Sequence, residues 1–288
     1  MPTTNNYSVD ALLPPEMALK AEEVGVVKAN YGPRRLLMLG ILAGGFIALG
    51  AIFATTVSAD SGSMPYGFTK LISGLVFSLG LILVIISGAE LFTGNNLIVM
   101  AWASKKISTK KLLRNWIYVY VGNFIGAVGF AALLFFSGQY TFGGSAVGLT
   151  ALNIANTKTG IGFVEAFVLG ILCNVLVCLA VWMAMSARST TDKILAVIFP
   201  ITAFVAAGFE HCIANMYFIP VGLMIKSGAP ASFWTNIGMT ATDFSNLTWS
   251  NMLINNLIPV TLGNIIGGTF LVGIVYWALY LRIPKNPF

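Results

Sequence analysis

The residues best suited to chemistry lie in one stretch, 208–216, which reads Gly-Phe-Glu-His-Cys-Ile-Ala-Asn-Met. This stretch places Glu210, Asn215 and the chain's only histidine, His211, inside an apolar run from 194 to 225. A charged side chain at the centre of a bilayer costs roughly 2.5–3.5 kcal/mol on insertion scales. Ionisable residues retained at such a depth therefore predict a functional site, and an imidazole there predicts hydrogen bonding or proton transfer.

The composition is that of a polytopic membrane protein. The 288 residues are 57% hydrophobic and 9% charged, whereas about a quarter of a soluble chain is charged. The net charge of +6 is not gathered into a basic polar domain, which argues against a nucleic-acid partner. Membrane lipid is the expected partner instead. The three cysteines lie in apolar runs and predict neither a disulfide framework nor a metal site, and no cofactor is expected.

Six apolar stretches predict an all-α protein with six spans. A span needs about 20 residues, and the second and fifth stretches are too long for one straight helix. Each also carries polar or helix-breaking residues near its middle, at 88–96 and at Pro200 with 208–211. We therefore predict two broken spans that meet at a pathway, because irregular backbone at membrane depth needs protein or a watery cavity around it. The stretches are 36–57, 71–104, 112–137, 160–186, 194–225 and 253–281.

The segments outside the spans complete the predicted organisation. Residues 1–35 form an N-terminal segment in which 14–29 is either a short amphipathic helix, lying on the membrane or on the protein, or a solvated tail. Residues 36–282 form the channel domain, 283–288 form a C-terminal tail, and 139–158 and 226–252 are polar loops. All but three of the sixteen Lys and Arg residues fall on one side of this scheme, so both termini are predicted to be cytoplasmic.

Matching motifs in the two halves indicate an internal duplication. Glu90 and Asn95 recur 120 residues later as Glu210 and Asn215, and Gly50 with Gly170 has the same offset. The sequence Gly-Asn-x-Ile-Gly occurs at both 122–126 and 263–267. Three spans per copy require the second copy to enter the membrane from the opposite side. Such inverted repeats place a binding site near the midplane, between two discontinuous helices.

The polar residues near the two breaks have competing interpretations. Thr93 is expected to cap the half-helix that begins at Gly94. Glu90 and Glu210 either satisfy exposed backbone donors, which we favour, or relay protons. His211 is expected to be neutral at rest, because burial disfavours imidazolium, and to act as a hydrogen-bond or proton donor to a weak-acid anion.

Further residues are expected to line or gate the pathway. Asn174 either orients His211 or forms an interhelical hydrogen bond. Lys158 either attracts anions into an outer vestibule or extends to the membrane interface. Leu91, Phe92 and Phe204 are candidates for an apolar constriction that excludes water.

These motifs resemble the formate/nitrite transporter family, most closely its bacterial formate channels, over essentially the whole chain. The resemblance rests on 88–96, the Gly-Asn pairs, Lys158, Asn174 and 208–216. It implies a homopentamer in the bacterial inner membrane, each protomer an aquaporin-like bundle with its own pore. It places Phe77, Leu81 and Val177 at the pore constriction. It also implies that the 14–29 helix plugs the pore at acidic pH or docks a cytoplasmic formate-producing enzyme.

The resulting hypothesis is a passive, pH-sensitive channel for formate and related small anions, with His211 modulating permeant protonation. A proton-coupled transporter fits the same repeat, and nitrite, acetate and hydrosulfide remain alternative permeants. A water or glycerol pore is disfavoured, because paired Asn-Pro-Ala motifs are missing from the sequence. A membrane enzyme is disfavoured too, because neither a His/Cys cluster nor a Ser/His pairing is readable.

Overall fold

The structure is a computed structural model that describes residues 11–282; the first ten residues and the predicted tail 283–288 lie outside this range. The described residues are helical and contain no β-strand, so the predicted all-α class is confirmed. The helices are α1 (Pro14–Ala29), α2 (Pro33–Ser58), α3 (Tyr66–Ser87), α4 (Val99–Ala103), α5 (Thr109–Ser137), α6 (Ala146–Gly160), α7 (Phe163–Ser186), α8 (Thr190–Ala206), α9 (Cys212–Gly228), α10 (Ala231–Ile237) and α11 (249–282).

Helix α11 is continuous but irregular, with π-helical stretches at Met252–Leu257, Ile266–Ile274 and Ala278–Arg282. Five helices of the described chain, α2, α3, α5, α7 and α11, are long and apolar enough to cross a membrane. The number is six if α9 and α10, which meet at 110°, count as one bent span. Helices α8 and α9 have 17 residues each and are separated by only five residues, which gives the predicted broken fifth span.

The two breaks have the same backbone geometry. Gly88 follows the last residue of α3, and Gly208 lies two residues after the end of α8. Both glycines have φ of +74°, a left-handed conformation that glycine adopts without a Cβ clash. In each break, the residue two positions after this glycine donates a backbone hydrogen bond to the first span of the same repeat. Glu90 N donates to Leu39 O over 3.2 Å, and Glu210 N donates to Leu169 O over 3.3 Å.

One asparagine amide holds each break in place. Asn123 on α5 accepts from Phe92 N at 2.9 Å and donates to Glu90 O at 2.9 Å and to Gly40 O at 2.8 Å. Asn264 on α11 repeats the arrangement with Cys212 N at 2.9 Å, with Glu210 O at 3.0 Å and with the carbonyl of Gly170 at 2.7 Å. Both amides are fully buried, so each supplies partners that water cannot.

These contacts confirm the duplication but correct its register. The predicted pairing of Gly50 with Gly170 is wrong, because the residue that occupies the place of Gly170 is Gly40. A Cβ on Gly40 would meet Val119 O at 3.0 Å, and a Cβ on Gly170 would meet Val260 O at 2.8 Å. The first spans of the two repeats are therefore offset by 130 residues, whereas the breaks are offset by 120.

The same offset of 130 relates α1 to α6, which the sequence interpretation missed. The predicted loop 139–158 instead contains most of α6, a 15-residue helix. Helix α1 is not a solvated tail, because its buried Glu22 forms an ion pair with Lys106 and its Lys20 donates to Met185 O at 2.8 Å. Each repeat thus begins with a short helix that packs against the spans.

Close backbone contact between α5 and α2, and between α11 and α7, depends on small residues. A Cβ on Gly126 would lie 2.0 Å from Ile41 O, and a Cβ on Gly267 would lie 2.2 Å from Ile171 O. These distances are far below van der Waals contact, so any side chain there forces the helices apart.

We expect Gly267→Ala to lower the thermal unfolding midpoint of the detergent-solubilised protein, because overpacking costs about 1–3 kcal/mol. Gly129→Ala is the matched control, since a Cβ at Gly129 meets no atom within 4 Å and alanine favours the helix. Equal midpoints for the two variants would contradict the close approach.

Candidate functional site

His211 lies at the second break, where it is 3% exposed. Its Nδ1 accepts a hydrogen bond from Ala214 N at 3.0 Å and so caps the N-terminus of α9. Its Nε2 lies 3.0 Å from Thr93 Oγ1 at the first break. The structure therefore brings the two breaks together through one pair of side chains.

Aromatic rings pack against one side of the His211 and Thr93 pair. Phe204 stacks on the imidazole of His211, with ring centroids 5.8 Å apart. Phe77 meets Phe204 edge to face at 5.7 Å and lies 6.4 Å from Phe218. These rings form an apolar collar beside His211, and apolar surfaces of this kind disfavour water.

A vestibule of about 700 Å³ ends at this collar. Its floor includes Phe77, Phe204 and His211, and its wall includes Lys158 and Glu210. The outer wall is largely apolar, with Met64, Ile154 and Ile161 among its residues, but it also carries hydroxyl and amide groups, one further cation and one further carboxylate. The polar outer residues are Ser58, Ser61, Thr69, Lys70, Ser73, Thr150, Asn153, Thr157 and Glu165. A small hydrophilic solute can therefore reach the collar from this side.

Lys158 and Glu210 form a buried ion pair in the vestibule wall. Lys158 Nζ lies 2.7 Å from Glu210 Oε1, and the Lys158 side chain is 16% exposed. The second carboxylate oxygen, Oε2, accepts from Asn215 Nδ2 at 2.6 Å and from Asn256 Nδ2 at 3.2 Å. Asn256 also donates to Lys158 O at 2.9 Å, so these four residues form a closed network.

The first repeat builds the same network from α1. Lys28 Nζ lies 3.1 Å from Glu90 Oε1, and Asn95 Nδ2 donates to Glu90 Oε2 at 2.7 Å and to Asn115 Oδ1 at 2.9 Å. Asn115 donates in turn to Lys28 O at 3.2 Å. The Lys28 side chain is 27% exposed, so this pair is less shielded from solvent than the Lys158 pair.

Several predicted roles at the breaks need correction. The Glu90 and Glu210 carboxylates bind lysine and asparagine side chains rather than backbone donors, because the asparagines on α5 and α11 already hold the loop backbone. Thr93 makes no capping hydrogen bond to the 3₁₀ turn Gly94–Ile98, and its hydroxyl faces His211 instead. The loop backbone at the breaks is therefore held mainly by Asn123 and Asn264, while His211 caps the first turn of α9.

Asn174 does not bond to His211 but fixes the loop that carries Thr93. Its Nδ2 lies 3.3 Å from Thr93 O, 2.8 Å from Asn96 Oδ1 and 2.7 Å from Asn264 O. Asn174 thus makes an interhelical contact, and it touches the surroundings of the histidine through Thr93 and through Asn264.

The apolar candidates divide into two groups. Leu81, Leu91 and Val177 are buried in the cluster that contains Phe77, although they do not line the vestibule. Phe92 points elsewhere, since its ring packs against Trp116 at 6.1 Å and Tyr120 at 5.0 Å and lines an apolar groove between α5 and α11. The expectation that Phe92 joins Phe204 at the constriction is therefore wrong.

Four residues of the site were missed in the sequence: Lys28, Asn115, Asn256 and Phe218. The repeat contained a signal for Lys28, Asn115 and Asn256. Lys28 lies 130 residues before Lys158, the offset that relates the first spans. Asn115 lies 141 residues before Asn256, the offset that relates the two Gly-Asn pairs. No pattern marks Phe218, whose ring lies 5.6 Å beneath the Lys158 ammonium.

Cations also lie close together at the end of the molecule opposite the vestibule. Burial, and then the positive charges of Lys193 and Arg188, lower the pKa of Lys20 on α1. Lys20, Lys193 and Arg188 therefore lie near one another at that end of the molecule.

A helical membrane bundle with two broken spans, and a vestibule that ends where they meet, is the architecture of channels and transporters. The profile described as "Formate/nitrite transporter" matches residues 15–278. The protein called "Formate channel FocA" of Escherichia coli K12 is 49% identical over 273 residues, covering 95% of this chain and 96% of that protein. Its namesake in Haemophilus influenzae is 46% identical, covering 92% and 93%.

Solved structures agree with the sequence comparison. A structure described as "Pentameric formate channel with formate bound" superposes with a TM-score of 0.83 at 48% identity, covering 86% of this chain and 98% of that one. An "FNT family ion channel" superposes with a TM-score of 0.75 at 28% identity. The chain belongs to the formate/nitrite transporter family.

We expect Lys158→Met to destabilise the fold by about 3–5 kcal/mol, because it leaves the Glu210 carboxylate buried without a counterion. The double variant Lys158→Met/Glu210→Gln should recover most of the loss. Lys28→Met should cost less, since that pair is longer and more exposed. Denaturation of the detergent-solubilised variants measures all three, and additive losses in the double variant would contradict the pairing.

Proposed function

We propose that the protein is a passive, pH-sensitive channel for formate and related small monovalent anions in the bacterial inner membrane. The observation that carries this proposal is the contact between His211 Nε2 and Thr93 Oγ1, which joins the two breaks at the floor of the vestibule. The printed descriptions of the most similar proteins name formate channels, which supports formate as the permeant.

The vestibule suits a small anion better than a large or apolar solute. Its wall carries hydroxyls and amides that replace part of the hydration shell, and Lys158 contributes a cation. Because Lys158 is paired with Glu210, the pair has no net charge and acts mainly through its dipole. The anion is therefore held weakly enough to leave, which a channel requires.

The hydrogen bonds of His211 define its resting tautomer. Nδ1 accepts from Ala214 N and so carries no proton, which leaves the proton of a neutral ring on Nε2, facing Thr93. A second proton on Nδ1 would place two N–H groups against each other and remove the cap of α9. Imidazolium is consequently disfavoured by lost capping as well as by burial.

This geometry gives His211 two roles that depend on pH. As the neutral ring, it offers the Nε2 proton to an anion that displaces the Thr93 hydroxyl. As imidazolium, which carries a proton on both nitrogens, it passes the Nε2 proton to the anion and is left with its proton on Nδ1. Nδ1 must then release that proton and Nε2 must gain one from the vestibule before the resting tautomer and the cap of α9 are restored. The neutral weak acid then crosses the Phe77–Phe204 collar at a lower desolvation cost than the anion.

Assembly and orientation are part of the same proposal. We infer a homopentamer, with one pathway in each chain, and both termini in the cytoplasm. The pentamer named in the 48% identical structure supports the first, and the asymmetric distribution of Lys and Arg supports the second. The intact mass of the purified assembly counts the chains, and protease access in sealed vesicles reports the termini.

We expect the pH dependence of formate flux to be lost in His211→Phe, because phenylalanine neither titrates nor donates. Flux into proteoliposomes is measured across external pH for the wild type and the variant. Since His211→Phe also removes the cap of α9, His211→Asn is the matched variant: asparagine caps helices well but does not titrate near neutrality. If either variant keeps the wild-type pH profile, the histidine mechanism is wrong.

We also expect Thr93→Val to reduce formate flux roughly two- to tenfold, the size of one lost hydrogen bond in the rate-limiting barrier. Valine has nearly the shape of threonine but cannot accept from His211. Thr93→Ser keeps the hydroxyl and should retain most of the flux. A Thr93→Val variant as fast as Thr93→Ser would remove Thr93 from the pathway.

A further inference from the structure

A second cavity lies apart from the pathway, at the end of the chain near α1. It has a volume of about 740 Å³ and opens between the 104–108 turn and the last span. Three lysines line it, Lys105, Lys106 and Lys111, together with the indoles of Trp102 and Trp277. No carboxylate belongs to the lining, which also includes Ala103, Ile107, Ser108, Thr109 and Ile274.

The lysines leave positive charge uncompensated in this cavity. Lys106 is paired with Glu22, and Lys111 Nζ donates to the neutral Asn30 Oδ1 at 2.7 Å. Among residues 11–282, the Lys105 ammonium makes no hydrogen bond and no ion pair. Three cations therefore face one carboxylate, and the site as a whole attracts an anion.

Lys105 stands in a backbone position that favours glycine. Its φ is +60°, and its N–H donates to Trp102 O at 2.9 Å, so it terminates α4 in the left-handed conformation that glycine usually supplies there. A lysine in this conformation is strained, and strained residues concentrate at functional positions. The strained backbone therefore makes Lys105 a candidate functional residue.

The two indoles set the depth of the cavity in the membrane. Trp102 Nε1 donates to Thr109 Oγ1 at 3.0 Å, and Trp277 Nε1 donates to Ser104 Oγ at 2.9 Å. Tryptophans whose N–H groups are bound to the ends of spans mark the interface between headgroups and acyl chains. The lysines therefore lie at headgroup level, while Ile274 and the Trp277 ring offer an apolar surface below them.

From this arrangement we infer a binding site for an anionic phospholipid, in which Lys105 and Lys111 hold the phosphate and the groove beside Trp277 accepts an acyl chain. Basic pockets beside spans recognise such headgroups through the same combination of charge and depth. Arg282, whose guanidinium lies 5.9 Å from the Trp277 ring, adds a further cation at the same level. A zwitterionic lipid would leave the charge of the lysines uncompensated.

The test compares lipid retention by the full-length chain and its variants. Each protein is purified in a neutral detergent and titrated with phosphatidylglycerol or phosphatidylcholine, and bound lipid is counted by native mass spectrometry. Lys105→Gly removes the cation while relieving the strained backbone, so its fold is preserved. Lys110→Gln is the matched control, because it removes a neighbouring charge that does not line the cavity.

We expect Lys105→Gly to weaken phosphatidylglycerol binding about fivefold, the contribution of one lysine near a charged headgroup. Lys110→Gln should change binding less than twofold, and phosphatidylcholine should bind weakly to every variant. Equal retention by Lys105→Gly and the wild type overturns the site. So does an equal loss in Lys110→Gln, which would show a diffuse basic surface, or equal binding of both lipids. Displacement by inorganic phosphate alone would show an anion site and not a lipid site.

Discussion

The whole architecture depends on satisfying the backbone at two breaks inside the membrane. Water is scarce at that depth, so every peptide group released from a helix needs a partner from the protein. Asn123 and Asn264 provide much of it, each binding two peptide groups of a break and a carbonyl of the neighbouring span. With these peptide groups satisfied, the Thr93 hydroxyl and His211 Nε2 remain available for the permeant.

The two repeats have the same backbone arrangement at their breaks, but they differ at one position, where only the second repeat carries a titratable side chain. Phe92 N donates to Asn123, and the residue before Phe92 is Leu91. Cys212 N donates to Asn264 in the same way, and the residue before Cys212 is His211. The repeat thus carries an apolar residue in one copy and a titratable residue in the other at equivalent positions. A histidine in both copies would place two imidazoles around one narrow path, and each would resist protonation of the other.

Hydropathy predicted the spans, because about 20 apolar residues are needed to cross a bilayer. It could not predict α6, where Asn153 and Thr157 line the vestibule and give the helix a polar face. The positions of the breaks were readable from polar residues in apolar runs, and their meeting followed from the inverted repeat, whereas the contact between Thr93 and His211 does not follow from spacing. The direction of Phe92 was not readable, because neighbouring loop residues have no fixed periodicity. The error over Gly50 arose because a single glycine match cannot define a register.

Both paired lysines precede their carboxylates along the chain, Lys28 before Glu90 and Lys158 before Glu210, and each lysine lies near the end of a short helix. During synthesis, the cation of each repeat is therefore made before the broken span that carries the acid. The counterion of each carboxylate is therefore already part of the chain when the acid is added. The order of the helices in each repeat thus places the base before the acid in synthesis as well as beside it in the fold.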